Sequence, residues 1–296
     1  MRAQLILLPN ESKKLIAKAL AGMDSVKKAL QNGKVVMHPS SSTLFLVEEI
    51  LGKIPETEVW MCGAITPRAA CGDDAVKVWM TTHPEARGNG GPEAFPFSWV
   101  IEKGKLSQGE TLGSLLSRIG PDDVYVKGVN ALDPKGKVGV LIGNQIEGGT
   151  IGKVIAARRE KKFTIIYPVG LEKLIPVSIE EAVAAAKDRL NLSYSMGSRC
   201  SLLLCEGKVV TEIDAVRLLT GATAIPIAAG GVDGAEGAIT LVISGENNQV
   251  EKAVDYIEEV KGALISRRFH QTDCGKCNEI HCSLRGGNKS WLKNKS

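Results

Sequence analysis

A chain of 296 residues, 44% hydrophobic and 24% charged, is long enough to bury two cores. Its net charge is only +4 and 4% of its residues are aromatic, with no basic run interleaved with rings, which argues against single-stranded nucleic acid as a partner. The apolar run Leu5–Leu8 stops at Pro9, and no stretch approaches the roughly 18 apolar residues of a membrane span, so a cytoplasmic protein with no membrane partner is expected. In a reducing compartment its cysteines are thiols or metal ligands rather than disulfides.

Residues 10–31 place Leu15, Ile16, Ala19, Leu20, Met23, Val26 and Leu30 at helical spacing, which predicts one or two amphipathic helices closed at Asn32-Gly33. Lys34–Met37 reads as a short strand. The hydroxyl-rich turn Ser40, Ser41, Ser42, Thr43 then opens a helix, and a strand–turn–helix of this kind can hold an anion at the helix start. The plainer reading makes Ser42 or Thr43 a simple N-cap. Glu58–Gly63 and Ala75–Met80 read as strands, with the cation Arg68 in the loop between them and a Gly/Pro-rich excursion over Thr81–Ser98. Trp99–Glu102 is a strand, Glu110–Ile119 a helix and Asp123–Lys127 a strand.

The stretch from Lys127 to Leu174 alternates strand, polar loop, strand, glycine turn, helix and strand. Its polar clusters fall where strands end, and Asn130 is a candidate ligand there, while Asp133-Pro134-Lys135-Gly136 reads as a turn. Ser178-x-x-Glu181 is a capping box opening a helix to Leu190. The pattern predicts a parallel-rich α/β domain over residues 1–190. Strands at Cys200–Cys205, Lys208–Val210, Ala224–Ala229 and Ala238–Ser244, with helices at Ile213–Leu219 and Asn248–Lys261, predict a smaller α+β, ferredoxin-like domain over residues 195–265. The glycine-rich Gly230–Gly237 joins two strands, so it is a hairpin or a subunit contact of a homo-oligomer rather than a nucleotide loop.

Residues 266–296 form a polar tail. His270, Cys274, Cys277, His281 and Cys282 crowd into it, with a C-x2-C pair that sets two thiolates on one turn. Three cysteines and one histidine suit structural zinc, and three cysteines alone suit an iron–sulfur cluster; the alternative is a tail of redox-active thiols.

Order and punctuation over residues 33–175, above all Lys127–Asp133, Lys137–Gly143, Gly148-Gly149-Thr150 and Lys162–Val169, resemble the superfamily of ribose-phosphate isomerase, glucosamine-phosphate deaminase and the CoA-transferases, nearest its lactate-utilisation-type branch. The resemblance implies a parallel-rich open sheet and a small anionic metabolite, a sugar phosphate or an acyl-CoA or carboxylate compound. It implies a pocket of Ser40–Thr43, Arg68, Asn130, Gly148, Gly149 and Thr150. Pro39 and serines stand where that family carries glycines, and its Ser-Glu-Asn-Gly motif is absent. Glu147 is the nearest carboxylate to the catalytic role, as a nucleophile or base, or else is a solvated loop residue. The alternative to an enzyme is an effector-binding or assembly protein with a metal-binding tail.

Overall fold

A computed structural model describes residues 1–53, 64–66, 69–71, 99–107, 110–143, 147–265, 273–275, 277 and 282–284. The expected strands at 58–63 and 75–80, the excursion at 81–98, Arg68, His270 and His281 lie outside these residues. The fold is mixed α/β.

Its central sheet runs in the order β12-β10-β7-β2-β5-β6, where β2 is Lys34–Met37, β5 Trp99–Glu102, β6 Lys105–Ser107, β7 Val124–Val126, β10 Thr164–Pro168 and β12 Lys208–Val210. β2, β7, β10 and β12 are parallel, and β5 and β6 close one edge antiparallel. The inner strands alternate between two buried faces, as period-two side chains must. Val35, Met37, Val124, Val126, Ile166 and Val210 enter the larger core. There they meet α1 (Pro9–Gly22), α2 (Asp24–Asn32), α3 (Ser41–Leu51) and two later helices, α7 (Glu212–Thr220) and α8 (Asn247–Val260). Val36, Val100, Tyr125, Ile165 and Tyr167 enter the second core, under α4 (Leu112–Arg118) and α5 (Gly149–Lys161).

Two antiparallel sheets flank this layer. In β11-β9-β8, the strand β9 (Val138–Ile142) lies between β8 (Ala131–Leu132) and β11 (Ser201–Cys205). The other is β1-β14-β13, with β1 Arg2–Leu7, β13 Thr223–Ala229 and β14 Ile239–Ser244. A two-residue ladder, β3 (Ala64–Ile65) with β4 (Ala70–Cys71), forms where the sequence reads as loop.

The elements of residues 195–265 are tied to the rest of the chain rather than closed on themselves. β11 pairs with β9, β12 extends the central sheet beside β10, and β14 pairs with the N-terminal β1 from Arg2↔Ser244 to Leu7↔Ile239. The buried Glu11 carboxylate strengthens that closure, accepting from Leu8 N at 2.8 Å, Gly262 N at 2.9 Å and Lys261 Nζ at 2.7 Å. The capping box at Ser178 and Glu181 forms as expected, but its helix, α6 (Ile179–Ala185), stops short of Leu190 and a separate 3-10 turn follows at Arg189–Asn191.

At the amino ends of β2 and β7 sits a buried ion pair. Lys34 donates to Asp123 through its backbone N at 2.7 Å and its Nζ at 3.0 Å, and Gly120 N adds a third bond at 2.8 Å. A Cβ on Gly33 would strike the same carboxylate, so glycine is required there for close approach. Asp123→Ala leaves the Lys34 ammonium buried without its carboxylate; urea denaturation is expected to show a loss of about 3–5 kcal/mol.

Candidate functional site

After β2 the chain passes into α3 on the larger-core face. After β7 it passes through β8 and β9 to α5 on the opposite face. Neighbouring parallel strands whose connections leave to opposite faces open a crevice at their carboxyl ends. His38 and Lys127 are the residues immediately after β2 and β7. Their backbones extend the sheet, His38 N donating to Val126 O at 3.0 Å and Lys127 N to Ile166 O at 3.1 Å. Both side chains are buried, at 7% and 9% exposure. Burial, reinforced by the Lys127 charge, holds the His38 imidazole well below the ordinary histidine range, so it is neutral at physiological pH. Beneath them Tyr125, Tyr167 and Cys205 are buried, and burial pushes the Cys205 thiol up to about 11, which makes it an inert core thiol.

The hydroxyl turn folds as a capping box with Ser40, not Ser42 or Thr43, as the cap. Ser40 Oγ accepts from Thr43 N at 3.2 Å, and Thr43 Oγ1 accepts from Ser40 N at 2.8 Å and donates to His38 O at 2.7 Å. Ser42 and Thr43 are buried, and Ser41 is half-buried. Ser40 lies against Gly128, where an added Cβ would come within 2.9 Å of its Oγ, so the two loops meet only because residue 128 has no side chain. Asn130 Oδ1 accepts from Leu141 N at 2.9 Å, a bond from the residue before β8 to the β9 backbone. Asp133 is buried and closes the 133–137 turn, accepting from Lys135 N, Lys137 N and Ile179 N, in keeping with its reading as a turn residue.

Glu147 is exposed, with Lys153 Nζ at 3.7 Å. It precedes Gly148 and Gly149, both left-handed at φ 70° and 60°, and Thr150 lies half-buried in the first turn of α5. Because α5 ends just before β10 begins, a helix running back along the sheet puts Gly149 and Thr150 on its carboxyl side.

Sequence reasoning missed a group on the opposite face, at the ends of β10 and β12. Glu212 opens α7 fully buried, both carboxylate oxygens accepting from Leu171 N at 3.1 and 3.0 Å. Burial pushes its carboxyl up to about 7, with the Ser12 hydroxyl opposing the shift and the nearby Glu172 charge adding to it. The Glu172 carboxylate has Lys13 Nζ at 3.9 Å and no hydrogen-bond donor among the described residues. Lys173 Nζ donates to Val129 O at 2.7 Å. Glu172 and Lys173 follow Gly170 at a strand end, and the carboxyl-end rule applied there would have found them. Glu212 reads in sequence as an ordinary acidic first-turn residue.

In the tail, Cys282 Sγ accepts from Gly197 N at 3.3 Å and Leu284 N at 3.4 Å, while Ser283 N donates to Ser195 O at 2.9 Å. Among the described residues, Cys274 and Cys277 included, no group of three or more His, Cys, Asp or Glu side chains is placed to hold a metal ion. No helix among them is long and apolar enough to cross a membrane.

No family model and no curated protein matches the chain. Among solved structures it is similar to 5-methylthioribose 1-phosphate isomerase from Pyrococcus horikoshii OT3, at 14% identity and a TM-score of 0.17. That match covers 31% of this chain and 28% of the isomerase.

Two buried groups give opposite pH trends. Glu212 keeps a proton in the folded state up to about 7 that the unfolded chain releases near 4.5, so stability falls as pH rises through that window. Glu212→Gln keeps an acceptor for Leu171 N; urea denaturation is expected to match wild type near pH 4.5 and to exceed it near pH 8, by up to roughly 3 kcal/mol. His38 refuses a proton that the unfolded imidazole takes below about 6.5, so its contribution is lost as pH falls beneath that value. His38→Gln is expected to flatten the acid side of the same pH series.

Proposed function

We propose that this protein is an enzyme that binds a small anionic metabolite, a sugar phosphate or an acyl-CoA or carboxylate compound, in the crevice at the carboxyl ends of β2 and β7. The observation that carries this reading is the burial of Lys127 beside His38 at that crevice. A buried ammonium supplies charge to an incoming anion in a low-dielectric setting. A neutral imidazole next to it can take a proton from the bound molecule. The start of α3 adds backbone amides, since the first turn of a helix leaves N–H groups without helical partners.

Thermal denaturation with inorganic phosphate, ribose 5-phosphate, glucosamine 6-phosphate and acetyl-CoA tests the reading, because a ligand of the folded state raises the melting temperature. Lys127→Met is expected to weaken the best binder roughly 10- to 100-fold, the worth of a hydrogen bond to a charged group. A panel with no shift for any anion would sink the proposal. Glu147→Gln separates binding from chemistry: turnover that survives it removes Glu147 from the catalytic role.

The docking of Cys282 on Gly197 favours a second reading, an effector-binding or assembly protein whose tail holds a metal. Zinc on Cys274, Cys277, Cys282 and either His270 or His281 would fill a tetrahedral site, with an iron–sulfur cluster on the three cysteines as the other occupant. Elemental analysis of anaerobically purified protein is expected to give one metal site per chain, lost in Cys274→Ser; metal-free protein would end this reading.

A further inference from the structure

Lys173 belongs to the one-turn 3-10 helix Leu171–Lys173 directly after β10. That turn is held at both ends. Leu171 N is fixed by the buried Glu212 carboxylate, and Lys173 N donates to Gly170 O at 3.0 Å. The side chain crosses to the neighbouring strand end, where Nζ donates to Val129 O at 2.7 Å, two residues beyond Lys127. The amine therefore lies on the loop that supplies Lys127 and Gly128 to the crevice.

Its surroundings differ from those of other sheltered lysines. Lys18 has Glu259 at 2.8 Å, Lys34 has Asp123 at 3.0 Å and Lys261 has Glu11 at 2.7 Å. Among the described residues Lys173 has a neutral carbonyl and no carboxylate within ion-pair distance. An ammonium has three donors, and among the described residues Val129 O takes one. Burial, followed by the longer-range pull of Glu172 and the repulsion of Lys13, leaves its basicity below the ordinary lysine range. A desolvated lysine beside other cations is the setting in which an amine becomes a nucleophile toward carbonyl carbon.

We propose that Lys173 forms an imine with the bound metabolite, which is therefore an anionic aldehyde or ketone, either a keto acid or a phosphorylated sugar in its open-chain form. This inference rests on the crevice being the anion site. The neutral nitrogen adds to the carbonyl carbon and both of its N–H protons end on the carbonyl oxygen. That oxygen leaves as water as the C=N bond forms, with no oxidant or further reactant consumed. Lys127 offsets the charge of the carboxylate or phosphate while the carbonyl faces Lys173.

The test is reductive trapping on the full chain, with pyruvate and dihydroxyacetone phosphate as probes and sodium borohydride as the hydride donor. The expected result is a single covalent adduct of the reduced probe, mapped by peptide mass spectrometry to Lys173. It should be absent from Lys173→Met and from Lys173→Arg, which keeps the charge if the methionine variant folds poorly. Melting temperatures with inorganic phosphate are run beside it on the same variants and on Lys127→Met. Phosphate stabilisation that depends on Lys127 but comes with no adduct overturns the imine and leaves the anion site standing. No stabilisation by any anion overturns both. An adduct spread over surface lysines, or undiminished in Lys173→Met, also overturns the imine.

Discussion

The fold depends on one constraint, the buried contact of Lys34 with Asp123 at the amino ends of the two central strands. β2 has four residues and β7 three, too few for side-chain packing alone to choose one pairing. A slip of one residue would turn every side chain to the other face. With Lys34 bonded to Asp123 through both backbone and side chain, Val35 pairs with Val124, Val36 with Tyr125 and Met37 with Val126. The same register then carries His38 to Val126 O, and Ser40 to Gly128, at the far end. An apolar pair of equal volume could match the ion pair in stability. It would lack the directional bonds that select this register.

From that register follows a division of charge between the two faces. On the second-core side, burial, reinforced by the Lys127 charge, keeps His38 neutral. On the other side, the carboxyl groups of Glu172 and Glu212 lie close to one another, with Lys13 beside Glu172, and Glu212 retains its proton toward neutral pH. Lys173 bridges the two by reaching from the 3-10 turn to Val129. Both groups lie at the carboxyl ends, where strands stop and backbone amides and side chains no longer serve the sheet.

Closure of the molecule relies on contacts distant in sequence. β1 completes a sheet with β14, and Glu11 holds the chain just past α8. β12 joins the central sheet, and the tail at Cys282 rests on Gly197, whose own neighbour is Ala70. Strands of residues 195–265 thus pair with strands from earlier in the chain, β11 with β9, β12 with β10 and β14 with β1.

Local pattern was enough for β2, β7, β10 and the amphipathic helices, because their apolar spacing is imposed by burial on one or both faces. It was enough for the Asp133 turn and the Ser178 capping box, whose side chains bond to backbone within a few residues. What only the tertiary structure decided is everything that depends on distant partners. β1 is a strand because Ile239–Ser244 lies beside it. Ser40, rather than Ser42 or Thr43, caps α3, and it packs on a glycine 88 positions on. His38, Lys127, Lys173 and Glu212 acquire their chemistry from burial at strand ends, and neither desolvation nor the approach of a second charge can be read from a residue's sequence neighbours.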